Sequence, residues 1–133
     1  MLSGEDNLLD KRKIIDKLNI KKYPKSEYWV TAGAGLVMHG IKPETRDIDM
    51  GCSTLLADLL IQKGAKWSCL EDGTRKIEID GNIEIFENWF VDEIVIIDGV
   101  CVASLESIRK QKIILNREKD WHDIALIDKS GRT

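Results

Sequence analysis

The sequence predicts an α/β or α+β fold: a mixed β-sheet with helices packed mainly on one face. Three observations predict it. Helix-like and strand-like segments follow one another in the order helix, strand, helix, strand, helix, then several strands, then two helices. The segment Arg75 to Phe86 carries the alternation of a hairpin. The chain has 133 residues, of which 43% are hydrophobic, enough for one domain with a core and too few for a second of ordinary size.

The elements are expected as follows. Residues 5–19 read as a first helix with Leu8, Ile15 and Leu18 on one face, and residues 22–26 as a loop around Pro24. Tyr28 to Thr31 form a short buried strand. The small residues Gly33-Ala34-Gly35 then turn the chain into a short helix that stops near Gly40. After a loop at Pro43, Arg46 to Gly51 alternates as a strand, with Ile48 and Met50 on one side and Asp47 and Asp49 on the other. Ser53 caps a helix through Gln62, and Gly64 ends it.

In RKIEIDGNIEIF, a three-residue loop of Asp80, Gly81 and Asn82 pairs Ile79 with Ile83 and Ile77 with Ile85. All four isoleucines then share one face, which is the register that burial selects, and Glu78 falls opposite Glu84. A second hairpin, Glu93 to Val102, turns at Asp98-Gly99. Ser104 opens a helix through Leu115, and a last helix covers Lys119 to Lys129.

The net charge of −3 excludes a wholly basic nucleic-acid binder. Between Lys11 and Lys25, however, seven basic residues face one acid, Asp16. This run reads either as a patch for a polyanion such as RNA or as a solvated helix face and loop. Three widely spaced cysteines, Cys52, Cys69 and Cys101, argue against a disulfide framework or a zinc site and for a reducing cytoplasm. No apolar run approaches the ~18–20 residues of a membrane span, so a cytoplasmic protein is expected.

Asp47-Ile48-Asp49 is the centre of the functional argument. Residues two apart on a strand point to one side, ~6.5–7 Å apart. Two carboxylates there suit a hard cation such as Mg²⁺. Among 13 aspartates, roughly one such spacing arises by chance, so the context decides. Upstream, a strand leads into Gly33, Ala34 and Gly35 at a helix start, where backbone N–H groups and small residues suit a phosphate; close helix–strand packing explains the same glycines. In the penultimate helix Lys112 lies within the apolar stripe of Leu105, Ile108 and Leu115, where a lysine either snorkels or meets an anion. Asp120 and Asp123 share a helix face, either positioning Lys119 or Lys112, supplying an acid near the site, or simply facing solvent with local ion pairs.

The stretch YWVTAGAGLVMHGIKPETRDIDMG, Tyr28 to Gly51, resembles the signature of the DNA polymerase beta-type nucleotidyltransferase superfamily. It is most similar to the small bacterial AbiEii/MenT-like toxins and lincosamide nucleotidyltransferases. SLESIRKQKIILNREKDWHDIALI, Ser104 to Ile127, resembles the closing motif of the toxins, carried here by Lys112, Arg117, Lys119, Asp120, Asp123 and Ile124.

The resemblance implies a minimal nucleotidyltransferase fold over residues 1–133. Residues 1–27 would form an N-terminal helix and basic loop, 28–103 the catalytic sheet region and 104–133 the C-terminal helices. It implies transfer of a nucleoside monophosphate from a nucleoside triphosphate such as ATP to a hydroxyl of a tRNA, a protein or a small hydroxylated compound. Asp47, Asp49 and Glu84 would hold two Mg²⁺ ions, or Mn²⁺, with Lys112 as a fourth catalytic residue. Gly33, Ala34, Gly35, Thr45, Arg46, Lys119 and Asp120 would bind the nucleotide. Two departures stand out: Ala34 where many members have Gly or Ser, and Glu84 where Asp is common. The alternative is an inactive module of this fold that binds a partner, for example a toxin–antitoxin component.

Overall fold

Asp10 starts the first helix by accepting the Lys13 N–H at 2.9 Å, which satisfies one of the donors that a helix start leaves open. The computed structural model describes residues 8–89 and 91–132. Helix α1 spans Lys11–Lys21. It therefore begins later than residue 5, and residues 5–7 lie outside the described residues. Leu9 is drawn instead into an isolated bridge with Thr45, and the Asp10 cap follows it. The buried pair on α1 is Ile14 and Leu18, four apart, so the core face is rotated by one residue from the expected Ile15.

The remaining elements are β1 (Tyr28–Thr31), α2 (Ala32–Met38), β2 (Ile48–Cys52), α3 (Thr54–Gln62), β3 (Lys66–Cys69), β4 (Arg75–Ile79), β5 (Ile83–Glu87), β6 (Ile94–Ile97), β7 (Val100–Ala103), α4 (Leu105–Leu115) and α5 (Glu118–Ser130). One mixed seven-stranded sheet runs in the order β3-β4-β5-β2-β1-β7-β6. β2 is parallel to β5 and antiparallel to β1, while β1 is parallel to β7. The fold is α+β. β3 is an element the sequence reading missed: all four of its residues are exposed at the sheet edge, so burial left no alternation to read.

Register divides the sheet into two unlike faces. Ile77 pairs with Ile85 and Ile79 with Ile83, as the isoleucine pattern demands. Ile77, Ile83 and Ile85 join Tyr28, Val30, Ile48, Met50 and Cys52 in the main core, against Ile14 and Leu18 of α1, Val37 and Met38 of α2, and Leu56 and Leu60 of α3. A smaller cluster of Leu36, Ala103, Leu105, Ile108 and Ile127 ties α2 to α4 and α5. Alternation puts Trp29, Thr31, Asp49, Gly51, Glu84 and Phe86 on the opposite face.

The basic run is partly consumed within the fold. Lys11 pairs with Asp98 at 3.0 Å and Lys21 with Asp80 at 2.6 Å, while Lys25 donates to the Gly99 carbonyl. These lysines brace hairpin turns, which lowers the charge left for a polyanion. No helix among the described residues is long and apolar enough to cross a membrane.

Candidate active site

The face opposite the main core holds a cleft of about 670 Å³. Its acid end is set by the strands. Thr31 pairs with Asp49, and Asp49 pairs with Glu84, so Asp49 and Glu84 stand side by side on adjacent strands. Asp47, just before β2, lines the same cleft. Burial first, then the charges of Glu84 and Asp47, push the Asp49 carboxyl up to about 6, against the pull of Lys119 and Lys112. Burial and two neighbouring carboxylates thus act on Asp49 in the same direction.

Along the strand axis the cleft becomes apolar. Phe86 follows Glu84 on the same side of β5 and meets Trp89 edge to face, with ring centroids 4.9 Å apart. Leu70 and Leu115 add aliphatic walls. Trp29 lies across Gly51 so closely that a Cβ there would collide with the indole ring. The indole nitrogen donates to the Trp89 carbonyl at 3.0 Å and so fixes the aromatic corner. Glu87 is locked by Arg75 through two hydrogen bonds of 2.9 and 2.8 Å, which hold its carboxyl down at about 2.

The cations come from the start of α5. Arg117 and Lys119 both line the cleft. Asp120, fully buried, accepts from Arg117 Nε at 2.6 Å, from Nη2 at 3.0 Å and from the Arg117 backbone N–H at 3.1 Å. Asp120 and, at longer range, Asp49 raise the Arg117 guanidinium further above its ordinary value.

The structure thus brings Asp47, Asp49, Glu84 and Lys119 to one cleft and leaves other expected residues outside its lining. Lys112 is buried, with Nζ 3.0 Å from Asp123 and 3.4 Å from Asp120, and Lys42 reaches Asp123 at 3.4 Å. It neither snorkels nor lines the cleft, because α5 lies against α4 and its acids meet the ammonium. Asp120 lies beneath Arg117 and does not line the cleft.

The glycine turn also moves. Gly33, Ala34 and Gly35 form the first turn of α2, not a loop before it. Ala34 is in the main core, Gly35 faces Ile108, and Gly33 faces Thr45. The residue of this segment that lines the cleft is Ala32, whose φ of 54° is the left-handed conformation that favours glycine. Thr45 donates to the Asp47 carbonyl at 3.3 Å, and Arg46 is exposed; neither lines the cleft.

Sequence reasoning named Arg117 in the closing motif without assigning it a role, and did not single out Phe86, Trp89 or Leu70 as site residues. Arg117 had a signal, its place three residues before Asp120 at a helix start. The aromatic corner had none, since it depends on β5 meeting the chain beyond it.

Carboxylate oxygens are the right donors for Mg²⁺ or Mn²⁺, and the charge crowded around Asp49 fits a cation there. Among the described residues, however, no three acids are gathered closely enough to hold a metal ion as they stand. Glu84 is turned to Lys76, 3.0 Å away.

The fold is similar to that of a nucleotidyltransferase. The solved structure concerned is the lincosamide antibiotic adenylyltransferase LnuA with lincomycin bound. It matches with a TM-score of 0.52 and 18% sequence identity over 86% of this chain and 92% of that one. No protein-family model matches the chain, and no curated protein does.

Proposed function

We propose that the chain is a nucleotidyltransferase that moves a nucleoside monophosphate from a nucleoside triphosphate to an acceptor hydroxyl. The observation that carries this reading is the division of one cleft into an acid end at Asp47, Asp49 and Glu84 and a cationic side at Arg117 and Lys119. Asp47, Asp49 and Glu84 would hold the divalent ions. Bound there, Mg²⁺ supplies Lewis-acid stabilisation of charge on the transferring phosphate. Arg117 and Lys119 bind the triphosphate, and Asp120 keeps the guanidinium aimed at it. Phe86, Trp89, Leu70 and Leu115 exclude water and offer flat apolar surface to a ring.

In the transfer the acceptor oxygen forms a bond to the α-phosphorus, the bond from that phosphorus to the β-phosphate oxygen breaks, and pyrophosphate leaves. The hydroxyl proton passes to solvent. Lys112 sits behind this site as a fixed positive charge that favours ionised Asp49. The neighbour's name makes ATP the first donor to test, and a small hydroxylated compound the first acceptor, ahead of tRNA and protein.

The test is incubation with each α-labelled nucleotide, Mg²⁺ and, separately, small hydroxylated compounds, bulk tRNA or cell protein. Transfer that disappears in Asp49→Asn, with the fold intact by circular dichroism, is the expected result. Metal-independent transfer, or full transfer by Asp49→Asn, rejects the assignment. The ion pair of Lys76 with Glu84 favours one other reading, an inactive partner-binding module that keeps the third acid occupied. Nucleotide binding without transfer to any acceptor is its signature.

A further inference from the structure

Lys76 stands on β4 as the cross-strand partner of Phe86, on the same face as the acids. Its Nζ is 3.0 Å from Glu84 Oε2, with both side chains partly exposed. Register explains why a cation is needed there. Glu84 has Glu78 directly opposite on one side and Asp49 on the other, so without a counter-ion these carboxylates repel across adjacent strands. Glu84, Glu78 and Asp49 together hold the Lys76 ammonium more firmly charged than usual.

We propose that Lys76 is the resident counter-ion of Glu84, which a divalent cation must displace, so that Lys76 sets the metal affinity of the site. This rests on the reading of Asp47, Asp49 and Glu84 as metal ligands. Lys76 is a positioning residue: it acts through Glu84. The exchange swaps one cation for another on the same carboxylate, so the acid end is never left bare. Once displaced, the ammonium remains on its flexible stem beside Phe86, with Glu78 two residues along the same face of β4 as its next carboxylate.

The test is Mn²⁺ binding without nucleotide, followed by electron paramagnetic resonance of the free ion. It compares the full chain with Lys76→Met, Lys76→Arg, Glu84→Gln and the double variant Lys76→Met/Glu84→Gln. Lys76→Met should tighten Mn²⁺ binding by about threefold to tenfold, the range expected when a competing exposed ion pair and its local positive charge are removed. Lys76→Arg, which keeps the pair, should bind as the parent does. In the Glu84→Gln background the gain should vanish, because no carboxylate remains to be released. Affinity of Lys76→Met within about twofold of the parent overturns the proposal, as does an equal gain in the Glu84→Gln background, which would mean a general charge effect. Absence of Mn²⁺ binding by the parent chain would instead overturn the metal-site reading and this inference with it.

Discussion

Replacing Lys112 with methionine tests whether the ammonium is a structural tie or an idle surface charge. The Lys112 side chain is 7% exposed, and its partners Asp120 and Asp123 are 0% and 10% exposed. Removing one member of a buried ion pair typically costs about 3–5 kcal/mol, because the remaining charge is stranded away from water. Here each carboxylate keeps another cation: Arg117 at 2.6 Å for Asp120, and Lys42 at 3.4 Å for Asp123. The expected loss is therefore somewhat smaller, about 2–4 kcal/mol. Methionine has similar volume, so little of this comes from a cavity. At roughly 0.28 kcal/mol per degree for a chain of this length, the melting temperature should fall by about 7–15 °C. The urea midpoint should fall with it at unchanged slope. Adding Asp123→Leu, which removes the stranded carboxylate, should recover part of the loss. Because α5 carries Arg117 and Lys119, ATP binding should weaken as well. A urea midpoint equal to the parent's would refute the reasoning and return Lys112 to solvent.

Two further outcomes follow from the site's surroundings. The Glu87 carboxyl is held at about 2, below its ordinary 4.5, by Arg75. A depressed folded value gives stability that is complete above 4.5 and is lost as pH falls toward 2, so the stability gap between the parent and Glu87→Gln should be constant near neutrality and close over that window in pH-dependent urea titrations. A gap that widens on acidification would reverse the sign and reject the pair. Ala32→Gly should raise stability by up to about 1 kcal/mol, since relief of a left-handed alanine exceeds the added freedom of the unfolded chain. A lower melting temperature in that variant would show that Ala32 is not strained.

Elements whose buried faces repeat were legible. The Arg75–Phe86 register follows from four isoleucines that burial forces to one side, and Ser53 and Ser104 mark helix starts because each hydroxyl accepts a first-turn N–H. β3 was not legible, because an edge strand with no buried residue carries no periodic signal. On α1, Leu18 is buried and Ile15 packs partly against the core as expected, while Ile14 is the more deeply covered of two adjacent isoleucines, which only contact with the rest of the fold decides.

The site divides along the same physical line. Asp47 and Asp49 were legible because residues two apart stay close on one side where the chain runs into β2, although the strand begins at Ile48 and not at the expected Arg46, and Glu84 because a hairpin register sets its side. Lys112 carried a real signal, a charge within an apolar stripe, but its resolution depends on the angle at which α5 crosses α4 and presents Asp120 and Asp123. Spacing along one helix contains no information about that angle. At the glycines the packing alternative accounts for Gly35, which is small because Ile108 of a distant helix lies against it, whereas Gly33 has only the Thr45 hydroxyl beside it at the start of α2. The left-handed position fell on Ala32, where no glycine marks it. Residues brought together by one element could be inferred, whereas those brought together by packing, the Phe86–Trp89 corner among them, needed the three-dimensional structure.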